Sequence, residues 1–115
     1  MWYDGIFESL LALRDEKRAP QMSAYMRNQF PFLGIASAPR KAAYKKIFAT
    51  AKKEKIVDFD FVDQCFKREE REFQYAGVDY LLAIQDCLVP ENLPKLKQYI
   101  QTKSWWDTVD GLDGV

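Results

Sequence analysis

The stretch EEREFQYAGVDYLLAIQDC at residues 69–87 decides the fold class, because its apolar residues recur at helical spacing. Side chains three or four positions apart lie on the same side of an α-helix. The residues that share this broad apolar surface are Phe73, Ala76, Val78, Tyr80, Leu81 and Ile84. The stretch therefore predicts a helix from about Glu69 to Cys87.

Helical patterns also precede and follow this stretch, and we find no convincing alternating strand. The predicted helices before it lie at residues 2–17, 21–29 and 39–53, and in a short segment capped by Asp58. Pro90 separates the long helix from the next one. That next helix is indicated by Leu93, Leu96, Tyr99 and Ile100. Six or seven helices joined by short loops predict an all-α protein built as an α-α superhelix.

An apolar segment, Phe30–Ile35, separates the second predicted helix from the third. Pro31 biases Phe30 away from helical backbone angles. Gly34 can adopt angles that other residues avoid. We therefore expect a turn here.

Length and composition limit the class of protein. The 115 residues are 48% hydrophobic, which suits one core in a single domain. No run of about 18 apolar residues could span a membrane, and residues 1–5 lack the basic-then-apolar pattern of a signal peptide. We expect one helical domain over residues 1–115, located in the cytoplasm and without a membrane partner.

Histidine is absent, which excludes several common catalytic and metal sites. Ser-His-Asp and Cys-His relays and His-based zinc sites all require an imidazole. The five glycines are scattered rather than spaced as in phosphate-binding loops. Cys65 and Cys87 lack CxxC spacing and are expected to be buried structural residues. We expect no cofactor of the common kinds, so catalysis would rest on carboxylates, aromatic residues and cations.

The formal net charge is zero, but positive charge is concentrated in residues 40–55, where seven cations and one carboxylate give +6. A helix over these residues would place Lys41, Lys45 and Lys52 near one stripe. Its inner side would then carry Ala42, Ala43, Ile47 and Phe48. Two interpretations stay open: the stripe is a solvated helix face, or it follows the phosphates of a nucleic acid.

The segment Lys103–Asp110 gathers two indoles and two carboxylates within one or two helical turns. Ser104 predicts the N-cap of a helix that begins at Trp105. Trp106 and Asp110 are four residues apart, so they would share one face of that helix.

This pair also has two interpretations. Trp106 could be a packing residue beside a solvated Asp110. Alternatively, the indole is a flat wall for a sugar or a nucleobase, and the carboxylate stabilises developing positive charge or orients water. The second arrangement would suit cleavage of a glycosidic bond.

Three motifs resemble, in order and in residue content, the AlkD-like DNA alkylation repair family. They lie at residues 22–35, at residues 71–80 and at residues 103–110. The resemblance implies HEAT-like helical repeats that form an α-α superhelix with a concave basic surface for duplex DNA. It further implies a DNA glycosylase that uses no metal and removes cationic alkylated purines such as 3-methyladenine and 7-methylguanine.

The resemblance also implies roles for individual residues. The family's catalytic aspartate falls on Asp110, and its cleft residues fall on Trp106 and Tyr25. The chemistry agrees, because an N-alkylated purine is already a good leaving group and needs only an anion near the sugar. The candidates for contacts with the DNA backbone are Arg40, Lys41, Lys45 and Lys52.

Members of that family continue past the third motif, so we expect this chain to correspond to the N-terminal half of such an enzyme. Trp105, Val109 and Leu112 would form an apolar stripe near its end, which predicts self-association there. The alternative function is a non-catalytic HEAT-like module that binds DNA or protein.

Overall fold

The computed structural model describes residues 1–28 and 30–101. Within these ranges the chain forms six α-helices, two short 3-10 helices and no strand, which confirms the all-α prediction. The α-helices are α1 (Asp4–Ala12), α2 (Ala19–Tyr25), α3 (Ser37–Lys53), α4 (Phe59–Lys67), α5 (Arg71–Ala83) and α6 (Leu93–Gln101). The 3-10 helices are Gln85–Cys87 and Pro90–Asn92. This succession of helices is compatible with the predicted superhelix.

Helix α5 is the centre of the fold, and it packs against both α3 and α4. The apolar surface predicted for it is confirmed, since Phe73, Tyr80 and Leu81 are fully buried. The helix is shorter than the predicted span of residues 69–87. Glu70 has an extended backbone and acts as its N-cap. At the other end, the Cys87 N–H donates to the carbonyl of Ile84, so the chain tightens into a 3-10 turn.

The first helix spans Asp4–Ala12, so the prediction of a helix over residues 2–17 is wrong for residues 2–3 and 13–17. Residues 14 and 15 lie outside any helix or turn, and residues 16–18 form a turn. The backbone N–H of Asp15 donates to the carbonyl of Leu33 at 2.8 Å, and the Asp15 carboxylate accepts from the Lys17 N–H at 2.9 Å. These bonds replace the helical ones and direct the chain towards α2.

The second helix covers Ala19–Tyr25 instead of the predicted residues 21–29. Pro20 lies in its first turn, where a missing N–H costs nothing. Arg27 and Asn28 have φ angles of 56° and 57°. Residues in the left-handed backbone conformation cannot continue a right-handed helix, so α2 ends before Arg27.

The basic helix is present as α3, although its inner side differs from the prediction. Ala42 is exposed, and Tyr44 occupies the inner side together with Phe48 and Ala51. Ala43 and Ile47 are half-buried. The predicted face was therefore rotated by part of a turn.

Helix α4 follows the prediction closely. The Asp58 carboxylate accepts from the Asp60 N–H at 3.0 Å and caps the helix. The residues expected to face the core, Phe61, Val62, Cys65 and Phe66, are all buried. Burial raises the pKa of the Cys65 thiol well above its ordinary value. Cys87 is only half-buried.

The ring of Phe61 joins helix α4 to the other helices. Its centroid lies 5.1 Å from the Tyr3 ring, 5.8 Å from Phe48 and 5.1 Å from Tyr80. Aromatic pairs at these distances contribute about 0.5–1.5 kcal/mol beyond their buried area. This cluster fixes α3 against α5 and so fixes the surface between them. No helix in the described ranges is both long enough and apolar enough to cross a bilayer.

Candidate nucleic-acid interface

A groove of about 590 Å³ runs between α3 and α5, and we call it the basic groove. It is lined by Lys41, Tyr44, Lys45, Phe48, Ala49, Lys52, Asp79 and Ala83. Helix α3 contributes most of these residues because its exposed and buried stripes meet at the edge of the groove. The cations on this edge can therefore reach a ligand while the aromatic rings below hold the helix in place.

The three lysines of the predicted stripe lie together in the basic groove. Lys41, Lys45 and Lys52 are exposed and follow one side of α3. At a rise of 1.5 Å per residue, they extend over roughly 16 Å of the helix. Lys52 also lies 3.9 Å from Asp86, but both side chains are largely exposed, so this ion pair is weak. The contact of these three lysines with DNA stays a prediction.

Arg40 is placed differently from the lysines. It is only 8% exposed. Its Nε donates to the Tyr44 hydroxyl at 3.1 Å, and its Nη2 lies 3.6 Å from the Asp79 carboxylate. Its guanidinium carbon also lies 4.7 Å from the centroid of the Tyr75 ring. The guanidinium is therefore engaged inside the protein, beneath the surface that the lysines occupy.

The Tyr44 hydroxyl links Arg40 to Asp79. It accepts from Arg40 and donates to Asp79 Oδ2. Burial raises the pKa of Tyr44 above its ordinary range; the Arg40 charge opposes this and the Asp79 charge adds to it. The phenol stays protonated at neutral pH and remains a donor to the carboxylate.

Tyr25, the predicted cleft residue on α2, is 75% exposed and is not among the residues that line the basic groove. The segment after it is fixed to α5. Ser23 Oγ donates to the Phe30 carbonyl at 2.9 Å, and the Arg71 N–H donates to the Pro31 carbonyl at 2.8 Å. The Arg71 guanidinium carbon lies 3.8 Å from the centroid of the Phe30 ring. The helix that carries Tyr25 is therefore held in place by contacts of the segment that follows it.

A buried carboxylate that no sequence pattern indicated also holds this segment. Glu72 is fully buried and accepts the backbone N–H groups of Leu33, Gly34 and Ile35 at 2.8, 2.9 and 3.1 Å. Gly34 has the predicted unusual conformation, with φ of 95°. A Cβ on Gly34 would lie 2.1 Å from the Asp15 carbonyl oxygen, so glycine allows the backbone at residue 34 to approach the backbone at residue 15. Both ends of α2 are held by these contacts.

Trp106 and Asp110 lie outside the described residues, as does the N-cap predicted at Ser104. Their roles remain predictions from the sequence. In the part of the chain that is described, no group of three or more potential ligand side chains could hold a metal ion.

The sequence model of the DNA alkylation repair enzyme family matches residues 6–114. The fold is similar to the structure of a predicted DNA alkylation repair enzyme from Enterococcus faecalis, with a TM-score of 0.75 and 33% sequence identity. That similarity covers 86% of this chain and 47% of the other, so the chain spans about half the length of that protein. No curated protein matches the chain. The chain belongs to the DNA alkylation repair enzyme family.

Proposed function

We propose that this member of the DNA alkylation repair enzyme family is an alkylpurine DNA glycosylase. It would hydrolyse the N-glycosidic bond of cationic alkylated purines, such as 3-methyladenine and 7-methylguanine, in duplex DNA. The observation that carries the proposal is that the family match extends to residue 114 and so includes Trp106 and Asp110. If the helix predicted from the sequence forms, the Trp106 indole and the Asp110 carboxylate would share one face of it, an arrangement that suits a reaction at a sugar carbon.

The reaction needs little from the protein beyond a negative charge held close to the sugar. The bond between C1′ and the purine nitrogen breaks, and the cationic base leaves as a neutral molecule. Asp110 stabilises the positive charge that develops on the sugar and orients the water whose oxygen bonds to C1′. The proton lost by that water passes to the solvent or to the carboxylate. No metal or cofactor is required for this sequence of bond changes.

The aromatic candidates would hold the nucleotide beside that carboxylate. Trp106 would form a wall against the sugar, and Tyr25 would close the same cleft from α2. The high exposure of Tyr25 supports this role, since its ring is accessible to a ligand. Base stacking on an aromatic side chain contributes roughly 1–3 kcal/mol.

The basic groove would bind the DNA backbone outside the cleft. Its lysines are exposed, lie in one row and face a groove open to solvent. Phosphate contacts of this kind supply affinity that does not depend on base sequence. The proposed partner is therefore double-stranded DNA that contains alkylated purines.

Reversing two charges in the basic groove should weaken binding to duplex DNA and flatten its salt dependence. The change is Lys45→Glu with Lys52→Glu. Each lost phosphate contact makes the negative slope of log K against log salt shallower by about 0.9. The slope would be measured by fluorescence anisotropy with a labelled duplex over a range of salt concentrations.

The matched control is Lys46→Glu with Lys53→Glu. These lysines are exposed on the same helix but do not line the groove. The control changes the net charge equally, so it should alter the slope much less. Equal slopes for the two double variants would mean that α3 contributes only its overall charge.

The activity itself is tested by incubating the protein, as its gene encodes it, with methylated duplex DNA. We expect 7-methylguanine to be released faster than by spontaneous depurination, as quantified by mass spectrometry. Salt-dependent binding of duplex DNA without any release would contradict the glycosylase and favour the alternative, a non-catalytic DNA-binding module.

A further inference from the structure

The two walls of the basic groove differ in charge. Helix α3 supplies the three lysines, Lys41, Lys45 and Lys52. Helix α5 supplies Asp79 and Ala83, and neither is a cation. The Asp79 side chain is 23% exposed, so part of its carboxylate borders the groove. An anion that enters the groove would meet attraction on one side and repulsion on the other.

The charge of Asp79 is balanced from below. Its partners are the buried Arg40, at 3.6 Å, and the hydroxyl of Tyr44. Within residues 1–28 and 30–101, no groove lysine forms an ion pair with Asp79. Lys41 and Lys45 therefore remain available for an external anion, and Asp79 is held in a fixed position.

We propose that the basic groove binds a single row of DNA phosphates along α3, and that Asp79 keeps phosphates away from the α5 wall. Arg40 and Tyr44 are positioning residues that hold Asp79 and reduce its repulsion of the row beside it. The proposal rests on the proposed function, because it takes the anion to be duplex DNA. It assigns Arg40 an indirect role in place of the phosphate contact expected from the sequence.

The length of the row agrees with one strand. The lysines extend over roughly 16 Å, and one strand of B-DNA advances about 3.4 Å along the axis per phosphate. Because the strand also winds around the axis, the three lysines of one straight helix can contact about three of these phosphates. A second row of phosphates on the α5 side would place like charges at short range, which is unfavourable.

The first test is Asp79→Asn, which removes the carboxylate charge and keeps an oxygen that can accept from Tyr44. Affinity for an unmodified duplex should rise about twofold to fivefold, because a repulsion at a partly exposed position is removed. The slope of log K against log salt should not become shallower, because no phosphate contact is lost. Unchanged or weaker binding would overturn the proposal.

The second test separates the indirect role of Arg40 from a direct phosphate contact. Arg40→Gln should weaken binding, because Asp79 then repels DNA without compensation, and adding Asp79→Asn should restore it. If Arg40 contacted a phosphate directly, Arg40→Gln would make the negative salt slope shallower by about 0.9. Adding Asp79→Asn would then not restore the binding. Absence of rescue by the second substitution would overturn the role of Arg40.

Tyr44→Phe provides a second route if Arg40→Gln does not fold. It keeps the ring that stacks on Phe48 at 4.6 Å and removes only the hydroxyl. Weaker duplex binding that Asp79→Asn restores is expected here too, with folding checked by circular dichroism. If the parent protein releases methylated bases but Asp79→Asn does not strengthen binding, only this inference fails. If the parent binds no duplex, both it and the proposed function fail.

Discussion

Replacing Asp110 by asparagine should reduce the release of 7-methylguanine from methylated duplex DNA by at least about a hundredfold. The substitution removes the charge at nearly constant volume, so, under the proposed mechanism, the sugar loses the anion that would stabilise its developing positive charge. Binding of the duplex should stay close to that of the parent, because phosphate contacts supply most of that affinity. Single-turnover release of the methylated base measures the first quantity, and anisotropy measures the second.

Asp113→Asn is the matched control for this experiment. It removes the same charge three residues later, and neither the motif nor the resemblance assigns it a role. Base release should therefore persist in the control. Equal release by the parent and by Asp110→Asn would exclude Asp110 as the charge-stabilising group.

The apolar spacing along the chain was sufficient to predict most helices. In α4, the cap at Asp58 and the buried face from Phe61 to Phe66 agree with the structure, because cap and face both depend on residues close in sequence. The ends of α1 and α2 were not predictable in this way. They depend on the bond from Asp15 to Leu33, 18 positions away, and on the left-handed conformations of Arg27 and Asn28.

The candidate interface shows the same limit. The spacing of Lys41, Lys45 and Lys52 predicted their common stripe, since spacing alone decides which side of a helix they share. Charge alone could not show that Arg40 is buried whereas the three lysines are exposed. Its partner Asp79 is 39 residues away, although the i, i+4 spacing of Arg40 and Tyr44 was a local signal.

Glu72 was missed because a charged residue near a helix start is usually solvated. Its burial depends on the segment at residues 33–35, whose N–H groups have no helix or strand to supply acceptors. Buried N–H groups of this kind need other acceptors, and here a side chain supplies them. The apolar segment around Gly34 was therefore a signal that a distant acceptor would be needed.

Glu72→Gln should lower the free energy of unfolding by about 3–5 kcal/mol. The parent carboxylate accepts three buried N–H groups. Glutamine offers one acceptor oxygen, and its amide would place a donor against a donor. Urea unfolding followed by circular dichroism measures the loss.

Glu69→Gln is the control for this loss, because Glu69 is exposed just before α5 and makes the same change in charge. It should alter stability by less than about 0.5 kcal/mol, as exposed substitutions usually do. Similar small losses for both variants would show that the segment at residues 33–35 does not depend on the carboxylate. A large loss confined to Glu72→Gln would instead show that the buried carboxylate stabilises the fold through the N–H groups of residues 33–35.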